Sequence, residues 1–172
     1  MSSTALSALN SLSEVDAAAA FAACCGSSAW VAQMLAGRPY ASSAQLFARA
    51  DAAAQALSSD DWLEAFSHHP RIGERKAAAS VSSVAAGWSA GEQAGMDQSS
   101  DSIQHDLAIA NAEYVERFGF IFIVCATGLS AESMLAALRE RLGNAPDAEL
   151  SIAVREQQKI TQLRLRKLLG ED

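Results

Sequence analysis

One run in this sequence reads as a β-strand, and it has nothing to pair with. Phe120-Ile-Phe-Ile-Val-Cys-Ala126 is apolar, β-branched and aromatic, the composition of a buried strand. A strand must satisfy its backbone N–H and C=O groups against a neighbour, and no other stretch offers a convincing one. The chain is therefore expected to be all-α, with this run as an extended buried segment or a tight helix. Composition agrees: 50% of the residues are hydrophobic, and much of that half is alanine, the best helix former.

Capping signals divide the chain into about eight helices with no significant sheet. Ser13 caps a helix that stops near Gly26, and a short helix follows around Trp30–Leu35. Ser42 and Gln45 form a capping box ahead of Leu46, Ala50, Ala53 and Ala54. Ser59 starts a helix whose Trp62, Leu63 and Phe66 pack inward, ending at His68-His69-Pro70. Arg71–Trp88 is the least legible stretch, a weak Ala/Ser helix broken at Gly87. Ser89 then opens a short helix, and Ser99 or Ser100 a longer one whose Ile103, Leu107, Ala110, Asn111, Tyr114 and Phe118 share a stripe ending at Gly119. Ser130 caps the next helix, and Pro146 suits the first turn of the last. At 172 residues the chain is expected to be a single domain, residues 1–172, with the first dozen loose.

Asp plus Glu number 20 against 13 Lys plus Arg, a net charge of −7, which argues against a nucleic-acid partner. No apolar stretch reaches the roughly 18 residues that span a bilayer. Three cysteines, Cys24, Cys25 and Cys125, have neither metal-ligand nor redox spacing. Free thiols, the absence of a secretory signal and the absence of a peroxisomal tail together predict a cytoplasmic protein. No His-Glu-x-x-His, paired Cys-x-x-Cys, phosphate loop or nucleophile elbow is present, so neither a metal nor a nucleotide cofactor is expected.

Chemistry can sit in four places. In Ser67-His68-His69-Pro70-Arg71-Ile72-Gly73, proline removes an N–H and pushes His69 out of helical geometry, so an imidazole projects from a rigid corner. Two surface histidines at a helix end, favoured by the dipole, explain the same residues. Ser89-Ala90-Gly91-Glu92-Gln93 reads equally as a plain capping box or as a helix amino terminus whose N–H groups, with Glu92 and Gln93, suit a urea or amide ring. Gly119–Gly128 is an apolar run bracketed by glycines, either core or a source of backbone groups for a flat polar ligand. Arg164 follows Gln157 by seven residues and Ile160 by four, beside the apolar stripe of the last helix, where an arginine can grip a carboxylate. His105 lies on a polar face and has no assigned role.

With these motifs in view, the chain resembles the 2-oxo-4-hydroxy-4-carboxy-5-ureidoimidazoline (OHCU) decarboxylases of uric acid degradation. The resemblance rests on His69-Pro70-x-x-Gly73, Ser89-x-x-Glu92-Gln93, Asn111-x-x-Tyr114-x-x-x-Phe118-Gly119-Phe120-x-Phe122 and Ile160-x-x-Leu163-Arg164-Leu165, in that order. It implies an all-α fold that pairs into a homodimer, OHCU as substrate, (S)-allantoin and carbon dioxide as products, and no cofactor. It further implies His69 as the catalytic histidine, with Pro70 in the same wall. Ser89, Glu92 and Gln93 fall on its ring- and ureido-binding residues, Phe122, Ile123, Val124, Cys125 and Ala126 on its backbone contacts, and Arg164 on its substrate-binding arginine. The competing readings are a helical protein-interaction module with incidental histidines, and a lyase of the same fold acting on another ureido acid.

Overall fold

The computed structural model describes residues 2–73, 83–96 and 99–171. Among them are nine α-helices, one 3-10 turn and no strand: α1 (Ser2–Ser11), α2 (Glu14–Cys24), α3 (Ser28–Ala36), α4 (Ser43–Gln55), α5 (Ser59–Ser67), α6 (Ser83–Glu92), the turn Ala94–Met96, α7 (Asp101–Phe118), α8 (Ala131–Arg141) and α9 (Pro146–Leu169). None of the described helices is long and apolar enough to cross a membrane. The chain divides into two compact units. One holds residues 1–65 and 158–172, the other residues 66–157, so α9 contributes to both.

Short polar caps set the helix starts. The hydroxyls of Ser13, Ser27, Ser42, Ser100 and Ser130 accept from the N–H three residues on, each satisfying a donor that the first turn leaves open. Gln45 completes its box by accepting from Ala41 N–H at 2.7 Å. Ser58 and Asp61 do the same for α5: each accepts from the other's backbone N–H, at 3.3 and 2.8 Å. At the other end of α7, Gly119 takes φ 78°, a left-handed cap that costs any L-residue but glycine.

In the first unit, Phe21, Trp30, Met34 and Leu46 are wholly buried. Phe21 meets Trp30 and Tyr40 edge-on, with centroids 6.2 and 6.5 Å apart, and Trp30 donates its indole N–H to Ala50 C=O at 3.1 Å. The expected loose amino terminus is instead helical. Leu6 and Leu9 of α1 are buried, and one Nη of Arg38 caps the helix end through the carbonyls of Leu9, Asn10 and Leu12 at 3.0, 2.9 and 2.6 Å. Leu63, expected inside, is 39% exposed, while Trp62 in this unit and Phe66 at the start of the second are buried as expected.

The second unit packs α7 against α8 around Leu107, Ala110, Tyr114, Met134, Leu135 and Leu138. Ile72, Phe122 and Ala126 join this core from segments outside the helices. Of the expected weak helix over 71–88, residues 74–82 lie outside the described residues; the remainder is helical from Ser83, and Gly87 does not break it.

Candidate active site

The abrupt end of α5 places His69. Helix stops at Ser67, the His69 N–H reaches back to Phe66 C=O at 3.1 Å, and Pro70 has no N–H to continue. The ring is half-buried, and its Nε2 lies 2.7 Å from Oε1 of Gln157, a fully buried residue of α9. The chain beyond is held as well. Asn111 of α7 donates its amide N–H to Ile72 C=O at 3.1 Å, and Gly73, at φ 87°, donates its N–H to Gln93 Oε1 at 3.0 Å. Three side chains, from α9, from α7 and from just after α6, therefore hold three of the five residues from His69 to Gly73, and such support is what keeps an acid/base group in productive geometry.

Ser89 and Glu92 do not open a helix, as the sequence had suggested; they occupy the last turn of α6, and Ser89 C=O accepts from Gln93 N–H at 3.1 Å. The Ser-x-x-Glu spacing is the same at either end of a helix, and the Ala/Ser run upstream is helix-permissive, so local sequence did not distinguish them. Open N–H groups are consequently not what this motif offers. It offers side chains: Ala85, Ser89 and Glu92 form the buried stripe of α6, with Ser89 at 5% and Glu92 at 8% exposure. A carboxylate is costly to bury unless it is paired, and both of these polar side chains are partnered.

Residues 119–128 form neither helix nor ladder. Two of their backbone groups are met by side chains: Arg141 Nη1 donates to Ile123 C=O at 2.7 Å, and Glu156 of α9 accepts from Cys125 N–H at 2.8 Å. Arg141 also lies over the Phe122 ring, 4.5 Å from its centroid, and Tyr114 meets that ring edge-on at 5.4 Å. Ala126 C=O closes a turn onto Leu129 N–H at 2.9 Å. These bonds narrow the set of backbone contacts that the segment can give a ligand.

Glu149, fully buried, anchors this support. It takes Arg141 Nε at 2.7 Å, Asn144 Nδ2 at 2.8 Å and the hydroxyl of Tyr114. Burial, reinforced by Glu149, pushes the Tyr114 phenol far above its ordinary range, so it remains a donor.

Arg164 belongs to the first unit. It is 4% exposed and donates from Nη1 to Ala23 C=O at 3.1 Å, at the end of α2. Cys25 is near its charge, but burial dominates and pushes that thiol up to about 11. A surface depression of about 320 Å³ in the same unit, lined by Leu6, Asn10, Tyr40 and Ser43 among others, presents no comparable chemistry. Its Asn10 side chain is bonded to the Tyr40 backbone at 2.8 and 2.9 Å, and the Tyr40 hydroxyl to Met34 C=O at 2.7 Å.

His69 and Gln93 thus bond at the two ends of one short segment, His69 to Gln157 and Gln93 to Gly73, and α9 reaches both this segment and Phe122–Ala126 through the adjacent Gln157 and Glu156. Sequence reasoning assigned no role to Gln157, Glu156, Asn111, Arg141 or Glu149. The available signal was polarity on an otherwise apolar helix stripe, which Asn111 and Gln157 both display.

The family model described as OHCU decarboxylase matches residues 10–166. The uric acid degradation bifunctional protein TTL of Arabidopsis thaliana is 42% identical over 149 residues, which cover 86% of this chain and 46% of that protein. The 2-oxo-4-hydroxy-4-carboxy-5-ureidoimidazoline decarboxylase of Amia calva is 49% identical over 59 residues, 34% of either chain. The chain thus spans less than half the length of these curated relatives. A solved OHCU decarboxylase, crystallised in the presence of (S)-allantoin, superposes with a TM-score of 0.75 at 38% identity, covering 87% of this chain and 96% of that one.

Proposed function

Because the chain belongs to the OHCU decarboxylase family, we propose that it converts OHCU to (S)-allantoin and carbon dioxide in uric acid degradation, without a cofactor and with His69 as acid/base residue. The observation that carries this reading is the His69 imidazole bonded to the buried Gln157, on a segment held by Asn111 and Gln93. The match runs from residue 10 to residue 166, which supports treating the chain as one domain of that family.

The chemistry suits these residue types. In OHCU the carboxylate sits on a ring carbon that also bears a hydroxyl, next to a ring carbon doubly bonded to nitrogen. When the carbon–carboxylate bond breaks, its electron pair forms a double bond to the neighbouring carbon, and the imine pair moves onto nitrogen, which takes a proton. The substrate is its own electron sink, so no cofactor is needed to hold the charge. The resulting enol loses its hydroxyl proton and the neighbouring carbon gains one, giving the carbonyl of allantoin. His69 handles this proton traffic, delivering to one face and so fixing the product's handedness. An imidazole, with a reference pKa near 6.5, suits this near neutral pH, and such help is typically worth about 10²–10⁴ in rate.

Glu92 accepts from the ring and ureido N–H groups, assisted by the Ser89 hydroxyl and by the amide N–H of Gln93, whose oxygen serves Gly73. Phe122 to Ala126 supply backbone contacts, with Val124 favoured because Ile123 C=O and Cys125 N–H serve Arg141 and Glu156. Arg164 pairs with a substrate oxygen; a grip tighter on the ground state than on the transition state would slow the reaction, so its role is orientation. We also propose a homodimer, following the family, and a cytoplasmic setting, which the free thiols Cys24, Cys25 and Cys125 support. Light scattering should give twice 18.1 kDa.

The test is circular dichroism of allantoin formed when the protein meets freshly generated OHCU. Optically active (S) product, lost in His69→Ala, is expected. Racemic product at the uncatalysed rate from folded protein would sink the proposal.

A further inference from the structure

We infer that Gln157 is a positioning residue that fixes the tautomer of His69, leaving Nδ1 as the nitrogen that takes and returns the proton. The inference rests on the reading of His69 as the acid/base residue. It begins from the 2.7 Å contact between His69 Nε2 and Gln157 Oε1, short for a bond of this type. A carboxamide oxygen has no proton to give, so the hydrogen in this contact belongs to the imidazole. Nε2 carries it, and in the neutral ring the lone pair is then on Nδ1.

Three features make this a selected arrangement. Gln157 is 0% exposed and sits within α9, so the acceptor is held by a helix interior and not by a mobile surface chain. The adjacent Glu156 is bonded to Cys125 N–H at 2.8 Å, which fixes the same turn of α9 from a second direction. The partner is also neutral. A carboxylate at this position would orient the ring equally well but would stabilise the imidazolium, favouring retention of the proton. The proposed reaction needs His69 both to accept a proton and to release one, and an amide orients the ring without tilting that balance by a full charge.

The experiment combines ¹⁵N NMR of the imidazole in neutral His69 with steady-state kinetics on the full chain, for wild type, Gln157→Leu, Gln157→Glu and His69→Ala. Expected are the Nε2–H tautomer in wild type and in Gln157→Glu, and a tautomer mixture in Gln157→Leu. With that mixture, kcat should fall about 10–100-fold, the scale of losing well-placed acid/base help, while KM moves less than about threefold. Gln157→Glu keeps the size and the acceptor, so it carries the test if the leucine variant does not fold. An Nδ1–H tautomer in wild type, or Gln157→Leu matching wild type in both tautomer and kcat while His69→Ala is inactive, overturns the positioning role alone. Stereospecific turnover surviving in His69→Ala overturns the reading beneath it as well.

Discussion

Arg141 on α8 and Glu149 on α9 form an ion pair inside the second unit, with Nε donating to Oε1 at 2.7 Å and Nη2 lying 2.6 Å from the same oxygen. Glu149 is inaccessible and Arg141 is 8% exposed, so neither charge is screened by water. The pair also carries Ile123, whose carbonyl is held by the same guanidinium. Removing one partner strands the other in a poorly solvating interior. Glu149→Leu should therefore cost about 3–5 kcal/mol in urea unfolding, whereas Glu149→Leu with Arg141→Met should recover much of that loss. A single variant as stable as wild type would show that the charges are hydrated in solution.

How much of this was legible in the sequence depended on the range of the interaction. Ser13, Ser42, Ser100 and Ser130 cap the helices they were read to cap, because a cap joins residues three apart. The helix α1 is not legible in the sequence because its carbonyl end is capped by Arg38, 26 to 29 residues away. For Phe120–Ala126 the sequence showed that no strand was available to pair with it. It could not show that Arg141 and Glu156, 18 and 31 residues on, supply its partners. The motif residues of the candidate site were readable as letters; the hydrogen bond that orients His69 spans 88 positions and was not.

Three glycines should respond to alanine with different signs. At Gly95 a Cβ would lie 2.0 Å from Leu129 O and 3.1 Å from its carbonyl carbon, both backbone atoms that cannot swing aside, so Gly95→Ala should be the most damaging. At Gly119 nothing among the described residues lies within 4 Å, but φ 78° remains strained for alanine, a cost of about 1–2 kcal/mol. Gly87 lies inside α6 with nothing among the described residues within 4 Å of its Cβ position, so alanine should stabilise by roughly 0.5–1 kcal/mol. Thermal melts of the three variants check this order.

The buried thiol of Cys25 makes a prediction about alkaline pH. Burial raises it from 9.0 to about 11 in the folded chain, so the unfolded chain releases this proton first as pH rises. The contribution of Cys25 is intact below pH 9 and declines from there to pH 11; Cys25→Ala should flatten part of the stability loss in that window, as read by urea titrations at pH 8, 9 and 10. At pH 8 the same shift of two units leaves about 100-fold less thiolate than an unperturbed group. Iodoacetamide followed by peptide mapping should accordingly find half-buried Cys125 labelled well before Cys25.

Asn111 should separate stability from activity. Its amide N–H holds Ile72 C=O, while its Oδ1, also buried, accepts no hydrogen bond from the described residues. Leucine at this position removes both groups at similar volume. The stranded Ile72 carbonyl costs about 1–3 kcal/mol, but eliminating an unsatisfied buried acceptor returns part of it, so the net destabilisation of Asn111→Leu should stay near 1 kcal/mol. Activity has no such compensation, because Ile72 lies on the short segment that carries His69, and kcat for stereospecific allantoin formation should fall about tenfold. Asn111→Asp points the other way on stability. It turns the donor into a second acceptor against Ile72 C=O and adds a charge at a residue 3% exposed, so it should unfold more readily than the leucine variant. Should Asn111→Leu keep full kcat, the bond to Ile72 serves folding alone, and the support of the His69 segment must come from Gln93 and Gln157.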